Sequence, residues 1–322
     1  MTSGSLPAGP IVVPLDGSEL SERALPYATS FANALRARIL LVTVWEGADH
    51  GLTKLLPGVA EDLSSAAQRY YKQYLAGAAE KLRGTDLVID TEVLTGYPSD
   101  EIARIVEQRK ARLLVLASHG RSGLGRWWYG SVTGDLVRRA PVSTLVIGPK
   151  VLEEDARAVA PRRLLVPLDG SELSEAALAP AQELAQKFGA EIVLAQVLSW
   201  AGQAHLFDVP PTTVAEIDRQ ATEAAEECLA KTATHLAGAT PVKTVVLHGL
   251  PAETLVDLVA REGIDLVVMT SHGRGGLTRA ALGSVADRML HCQAPVLLVR
   301  PGAVTSAPES SPQAHLPPSS GT

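Results

Sequence analysis

Val13–Leu25 reads VPLDGSELSERAL, and Val166–Leu178 reads VPLDGSELSEAAL. Two near-identical stretches lying 153 residues apart mark a duplicated unit of whole-domain size, because solenoid repeats run to only about 20–50 residues. Each stretch also carries its own fold signal. The apolar run Ile11–Leu15 stops at Asp16-Gly17, as a strand buried on both faces does. Leu20, Ala24, Ala28, Phe31 and Leu35 follow at spacings of three and four, which predicts one helix over Ser18–Arg36 with Ser18 as its N-cap.

Working outward, the same offset pairs Val44 with Val197, Gly96 with Gly249 and Pro98 with Pro251. It also pairs Ser118-His119-Gly120-Arg121 with Ser271-His272-Gly273-Arg274, and Gly130-Ser131-Val132 with Gly283-Ser284-Val285. It slips only before the last strand, where Pro141 answers Pro295. Within the first unit the pattern predicts strands over Ile39–Trp45, Leu87–Leu94, Leu113–Ala117 and Thr144–Ile147. Helices are predicted over Glu61–Arg83, from a Ser99 cap to Arg109, and over Ser131–Arg139. Strands that alternate with helices give an α/β fold with a parallel sheet covered on both sides. Right-handed crossovers then favour two flavodoxin-like (Rossmann-like) units, each a five-stranded parallel sheet in the order 3-2-1-4-5. The expected layout is a first domain over 8–148, a linker over 149–162, a second domain over 163–302 and a disordered Pro/Ser-rich tail over 303–322.

Composition removes several classes. The chain has 322 residues, a formal net charge of −6, 46% hydrophobic and 20% charged residues, which excludes disordered and collagen-like chains. Two cysteines, Cys228 and Cys292, make no disulfide framework and are expected to be free in a reducing compartment. Met1–Pro10 has neither a basic start nor an apolar core, so no secretory signal is expected. No apolar run approaches the roughly 20 residues that span a bilayer. A cytoplasmic protein without a membrane partner is the expectation. The mild acidity argues against a broad nucleic-acid surface.

The site is expected where the winding of each sheet reverses, outside the carboxyl ends of strands one and four. The first of these loops is Pro14-Leu15-Asp16-Gly17-Ser18, repeated as Pro167-Leu168-Asp169-Gly170-Ser171. Its aspartate either meets a ribose hydroxyl or metal, or fixes its own turn. The second loop holds Gly120, nine residues, then Gly130-Ser131, and again Gly273, nine residues, then Gly283-Ser284. Glycine admits close approach of backbone N–H groups to a phosphate, and the helix that opens at Ser131 adds its dipole. Thr133 is a further donor that Ala286 replaces in the second copy. Arg121 and Arg274 either steer an anion or sit on a solvated face. His119 and His272 have no nucleophile or base beside them in sequence, so no catalytic residue is assigned. No Cys/His cluster has metal-ligand spacing. Trp127-Trp128-Tyr129 has Ala280-Ala281-Leu282 opposite it and is expected to serve packing or a partner surface, including a homodimer. The phosphate loop GxxxxGK[ST], the GxGxxG fingerprint and the GxSxG elbow are all missing.

These residues resemble the universal stress proteins across both repeats. The ATP-binding branch of that family carries G, two residues, G, nine residues, then G-[ST]. The tail of the pattern stands here twice, and Ala117 and Thr270 replace its first glycine. The resemblance implies an ATP site, with magnesium on the phosphates, in each repeat. It assigns adenosine to Pro14, Leu15, Asp16 and Val44, and to Pro167, Leu168, Asp169 and Val197. It assigns ribose and phosphates to Gly120, Gly130, Ser131, Val132 and Thr133, and to Gly273, Gly283, Ser284 and Val285. It also implies pairing of the repeats through Thr144–Ile147 and Val296–Arg300, and a regulatory role in stress response. Two other readings stay open: a nucleotide-independent interaction protein of the same fold, and a slow ATPase.

Overall fold

The computed structural model describes residues 8–47, 50–118, 130–151, 160–199, 211–236, 238, 240–271 and 282–300. The first repeat runs β1 (Ile11–Pro14), α1 (Glu19–Glu22), α2 (Ala24–Leu35), β2 (Ile39–Trp45), α3 (His50–Leu55), α4 (Pro57–Glu80), β3 (Ile89–Thr95), α5 (Pro98–Gln108), β4 (Leu113–Ala117), α6 (Ser131–Arg139) and β5 (Thr144–Ile147). The second runs β6 (Arg163–Leu168), α7 (Glu172–Glu175), α8 (Leu178–Phe188), β7 (Glu191–Leu198), α9 (Pro211–Leu236), β8 (Val242–His248), α10 (Pro251–Glu262), β9 (Leu266–Thr270), α11 (Ser284–Met289) and β10 (Val296–Val299). The tail over 303–322 lies outside the described residues.

The strands form one ten-stranded sheet in the order β3-β2-β1-β4-β5-β10-β9-β6-β7-β8. Each half has the expected 3-2-1-4-5 winding and is parallel throughout. The halves meet at β5 and β10, which pair antiparallel with Leu145 opposite Leu297. Alternation along the strands explains why both faces are covered. Ile11, Val13, Leu41 and Val115 enter one core, and Val12, Leu40, Val42 and Leu116 enter another. The first of these cores crosses the joint, since it also holds Leu145, Val166 and Leu297. Above the joint Phe31 of α2 meets Phe188 of α8 edge to face at 5.3 Å. Arg112 pairs with Glu183 there, both largely buried.

Two sequence expectations need correction. The helix expected over Ser18–Arg36 breaks at Arg23 into α1 and α2. Pro26 supplies the reason: it has no N–H for the carbonyl of Glu22, and its ring crowds that turn. Pro180 does the same between α7 and α8. Ser99 is not a cap. Tyr97 takes that place, with Pro98 in the first helical position, where its fixed φ suits the helix and its missing N–H costs nothing. Ser99 instead accepts a hydrogen bond from Arg139 at 2.8 Å. The stretch assigned to the linker is anchored at its start, because Val151 is buried and its carbonyl accepts from Arg23. The helix α3 had no counterpart in the sequence reading.

Cys228 is exposed and Cys292 buried, both free, and burial pushes the Cys292 thiol up to about 11. Burial also pushes the Tyr74 phenol of α4 from 10.0 up to about 12, with the Glu22 charge acting in the same direction. A raised pKa means that the fold favours the neutral phenol. That stability is complete below pH 10 and is lost as pH rises towards 12. Tyr74→Phe is therefore expected to flatten the fall in unfolding free energy across this window. Urea titrations of both chains at pH 9 and pH 11.5 check it, and parallel losses would contradict it.

Candidate functional site

A cavity of about 350 Å³ opens at the carboxyl ends of β1, β2 and β4. Pro14, Leu15 and Asp16 come from the end of β1, Val44 from β2, and Ala117 from β4. Gly130, Ser131, Val132 and Thr133 close it from the start of α6. Every described residue named for the first repeat from sequence thus lines a single cavity. Gly120, Arg121 and His119 lie outside the described residues, as do Trp127, Trp128 and Tyr129.

Gly130 is the N-cap of α6 and, having no side chain, offers no cap hydrogen bond. Its carbonyl accepts the first helical bond, from Gly134 at 2.9 Å. The N–H groups at the start of an α-helix have no partner within the helix, so here they form a donor-rich, electropositive wall. The first turn of α6 holds no acidic residue. Thr133 is buried, 8% exposed, beside this wall.

The aspartate loop has the turn role that the sequence allowed. Asp16 Oδ1 accepts from the Ser18 N–H at 3.0 Å and from Ser18 Oγ at 2.6 Å. Ser18 Oγ in turn accepts from the Ser21 N–H at 3.1 Å, capping α1. The second repeat copies this at Asp169, Ser171 and Ser174, with 3.0, 2.5 and 3.2 Å. The turn needs Gly17 at φ +88° and Gly170 at φ +76°, a region in which a Cβ is strained. Both aspartates therefore organise their own turn, and Asp16 does so at the cavity edge.

Sequence reasoning missed Tyr71 of α4, Pro98 and Ile102 of α5, and Thr43 and Glu46, all of which line the cavity. Pro98 carried a turn signal, but Tyr71 had none: its arrival depends on how α4 crosses back over the sheet. In the second repeat the matching residues also gather at one sheet end. Pro167 and Leu168 end β6 next to β7, which carries Val197. Thr270 ends β9, and Gly283 caps α11 with its N–H on the Ser271 carbonyl at 2.9 Å. Ser284 and Val285 start that helix, which is only six residues long, and Ala286 is buried in the place of Thr133. Gly273, Arg274 and His272 lie outside the described residues.

A larger cavity, about 1110 Å³, sits at the opposite, amino end of the first repeat's strands. Among the charges of its wall, Arg38 pairs with Asp90 at 3.1 Å and Arg109 with Glu92 at 2.7 Å. Ligands of open parallel sheets bind at the carboxyl end, so size does not make it the site. Among the described residues no group of three metal-ligating side chains occurs, and no helix is long and apolar enough to cross a membrane.

Fold and site together define a tandem doubly wound α/β protein with a cleft at its strand ends, walled by a helix N-terminus. The model of the universal stress protein family matches residues 8–148 and again 161–300. A universal stress protein of Mycobacterium tuberculosis is 32% identical over 298 residues, covering 90% of this chain and 96% of its own length. One from Mycolicibacterium smegmatis is 29% identical over 308 residues, covering 90% and 97%. The crystal structure of a universal stress protein from Archaeoglobus fulgidus superposes with a TM-score of 0.61 over 93% of this chain and 99% of that one, at 17% identity, a likeness of fold. The chain belongs to the universal stress protein family, in a two-repeat form.

Proposed function

We propose that the strand-end cleft of the first repeat binds ATP, with magnesium carried on the phosphates, and that the chain uses this occupancy to regulate a stress response. The observation that carries the reading is the uncapped start of α6 facing a cavity at the β1/β4 switch point. The lining suits the parts of a nucleotide. Leu15, Val44, Tyr71 and Pro98 give an apolar wall for a base. The N–H groups of Ser131, Val132 and Thr133, with the two hydroxyls, suit phosphate oxygens. The cavity falls within the range of about 300–1,000 Å³ usual for small-molecule sites. The second repeat is the weaker candidate, since its helix is shorter and lacks the threonine. Cytoplasmic location and further pairing of chains belong to the same proposal.

The test is calorimetric titration of the full chain with MgATP, beside Ala117→Trp. An indole at position 117 would fill part of the cavity, so affinity in the first repeat is expected to fall by about a hundredfold, some 3 kcal/mol. Equal binding by both chains, or no binding at millimolar MgATP, would overturn the reading.

A further inference from the structure

Arg300 ends the last strand of the second repeat and reaches into the first. Its backbone N–H donates to Ser143 Oγ at 3.2 Å. Its Nη2 donates to the carbonyls of Val137 and Arg138, each at 2.5 Å, in the last turn of α6. Its Nη1 donates to Ser271 Oγ at 3.1 Å. Ser271 is 3% exposed and stands directly after β9, where the second repeat's Ser-His-Gly segment begins. One rigid, five-donor guanidinium therefore holds two elements that belong to different repeats. Among the described residues no carboxylate pairs with Arg300; the negative end of the α6 dipole offsets its charge. Burial lowers its pKa without discharging it.

The first repeat lacks this device. Gly148 follows β5 where Arg300 follows β10, and a Cβ there would come within 2.5 Å of the Leu290 carbonyl oxygen. Ser118, the counterpart of Ser271, is 1% exposed, and its hydroxyl has no hydrogen-bond partner among the described residues. Among the described residues the tie is built once, from Ser271 in the second repeat to the first repeat's helix. That helix is the one whose N-terminus walls the 350 Å³ cavity.

We propose that Arg300 is a positioning residue that couples the repeats: it links Ser271, at the end of β9, to the C-terminus of α6, so that events at the second repeat's strand end reach the first repeat's cavity. The coupling of nucleotide sites rests on the ATP reading; the mechanical link does not.

The test compares the wild-type full chain with Arg300→Met, Arg300→Lys and Ser271→Ala, in two measurements. Without ligand, amide hydrogen exchange of residues 131–139 is expected to quicken about tenfold in Arg300→Met and about threefold in Ser271→Ala, with partial rescue in Arg300→Lys. A purely local role of Ser271 would leave α6, in the other repeat, unchanged. With MgATP, the ratio of the two stepwise affinities in Ser271→Ala is expected to differ about fivefold from the wild-type ratio, the intrinsic inequality of the two repeats being common to both chains. Unchanged α6 exchange in both Ser271→Ala and Arg300→Met, or an affinity ratio that Ser271→Ala leaves as it was, overturns the proposal. A wild-type chain that takes up no MgATP refutes the ATP reading instead, and the link is then decided by exchange: faster α6 exchange in Ser271→Ala supports it, and no change overturns it.

Discussion

Leu145→Asp is expected to destabilise the chain by at least about 4 kcal/mol, the cost of an unpaired carboxyl in an apolar site together with lost packing. Leu145 lies in β5 opposite Leu297 of β10, and both are fully buried. Its side chain enters the core that continues from Val13 and Leu41 to Val166 and Leu194. The new carboxyl would meet neither water nor a cation there, so it would stay protonated and still lack hydrogen-bond partners. A typical domain has only about 5–15 kcal/mol to lose, and because this core spans the joint, the damage falls on both repeats. Denaturant titration of the variant beside Val88→Asp checks this. Val88 is 58% exposed, and its replacement should change stability by no more than about 0.5 kcal/mol. Equal stability of the two variants would mean that the repeats are not joined as described.

Ser131→Asp should move stability and ligand binding in opposite directions. Ser131 is exposed in the first turn of α6, a turn without an acidic residue. A carboxylate there meets the positive end of the helix dipole and should stabilise the fold by about 0.5 kcal/mol. The same carboxylate would stand where the proposed phosphates lie. Two like charges about 4 Å apart near a protein surface repel by up to about 4 kcal/mol, and with solvent screening a loss of about a hundredfold in MgATP affinity at the first repeat is expected. Ser131→Asn, similar in size and neutral, should bind close to wild type. Thermal unfolding and calorimetry on the three chains read both effects. A variant that loses binding because it misfolds would show a lowered Tm, so the raised Tm keeps the two explanations apart. Unchanged affinity in Ser131→Asp would remove α6 from the binding site.

Much of this architecture was legible because it depends on local pattern. Ile11–Leu15 is a continuous apolar run and Ile39–Trp45 is broken only by Thr43, as strands covered on both faces are, and the duplicated VPLDGSEL stretch gave the number of units. The strand order followed from handedness, and the site's position from the point where the winding reverses. The break at Arg23 was also local, but Pro26 sat inside an otherwise regular apolar stripe that masked it. The role of Asp16 was open because the same residue type serves both turn and ligand; the distances from Ser18 to Oδ1 show the turn role. Tyr71 and Arg300 could not be read at all. Each meets residues far along the chain, Tyr71 lining one cavity with Ala117, and Arg300 on Val137 and Arg138 of the other repeat. No spacing rule encodes contacts that arise only when helices pack on the sheet and the two sheets join.

Purification of the full chain without added nucleotide, followed by denaturation and mass-spectrometric identification of what is released, tests the central claim most directly. The account predicts ATP in stoichiometric amount, and a marked deficit when the chain carries Ser131→Asp. A chain that releases no nucleotide and also gives no heat with millimolar MgATP would contradict it, leaving a universal stress protein whose cleft serves no nucleotide.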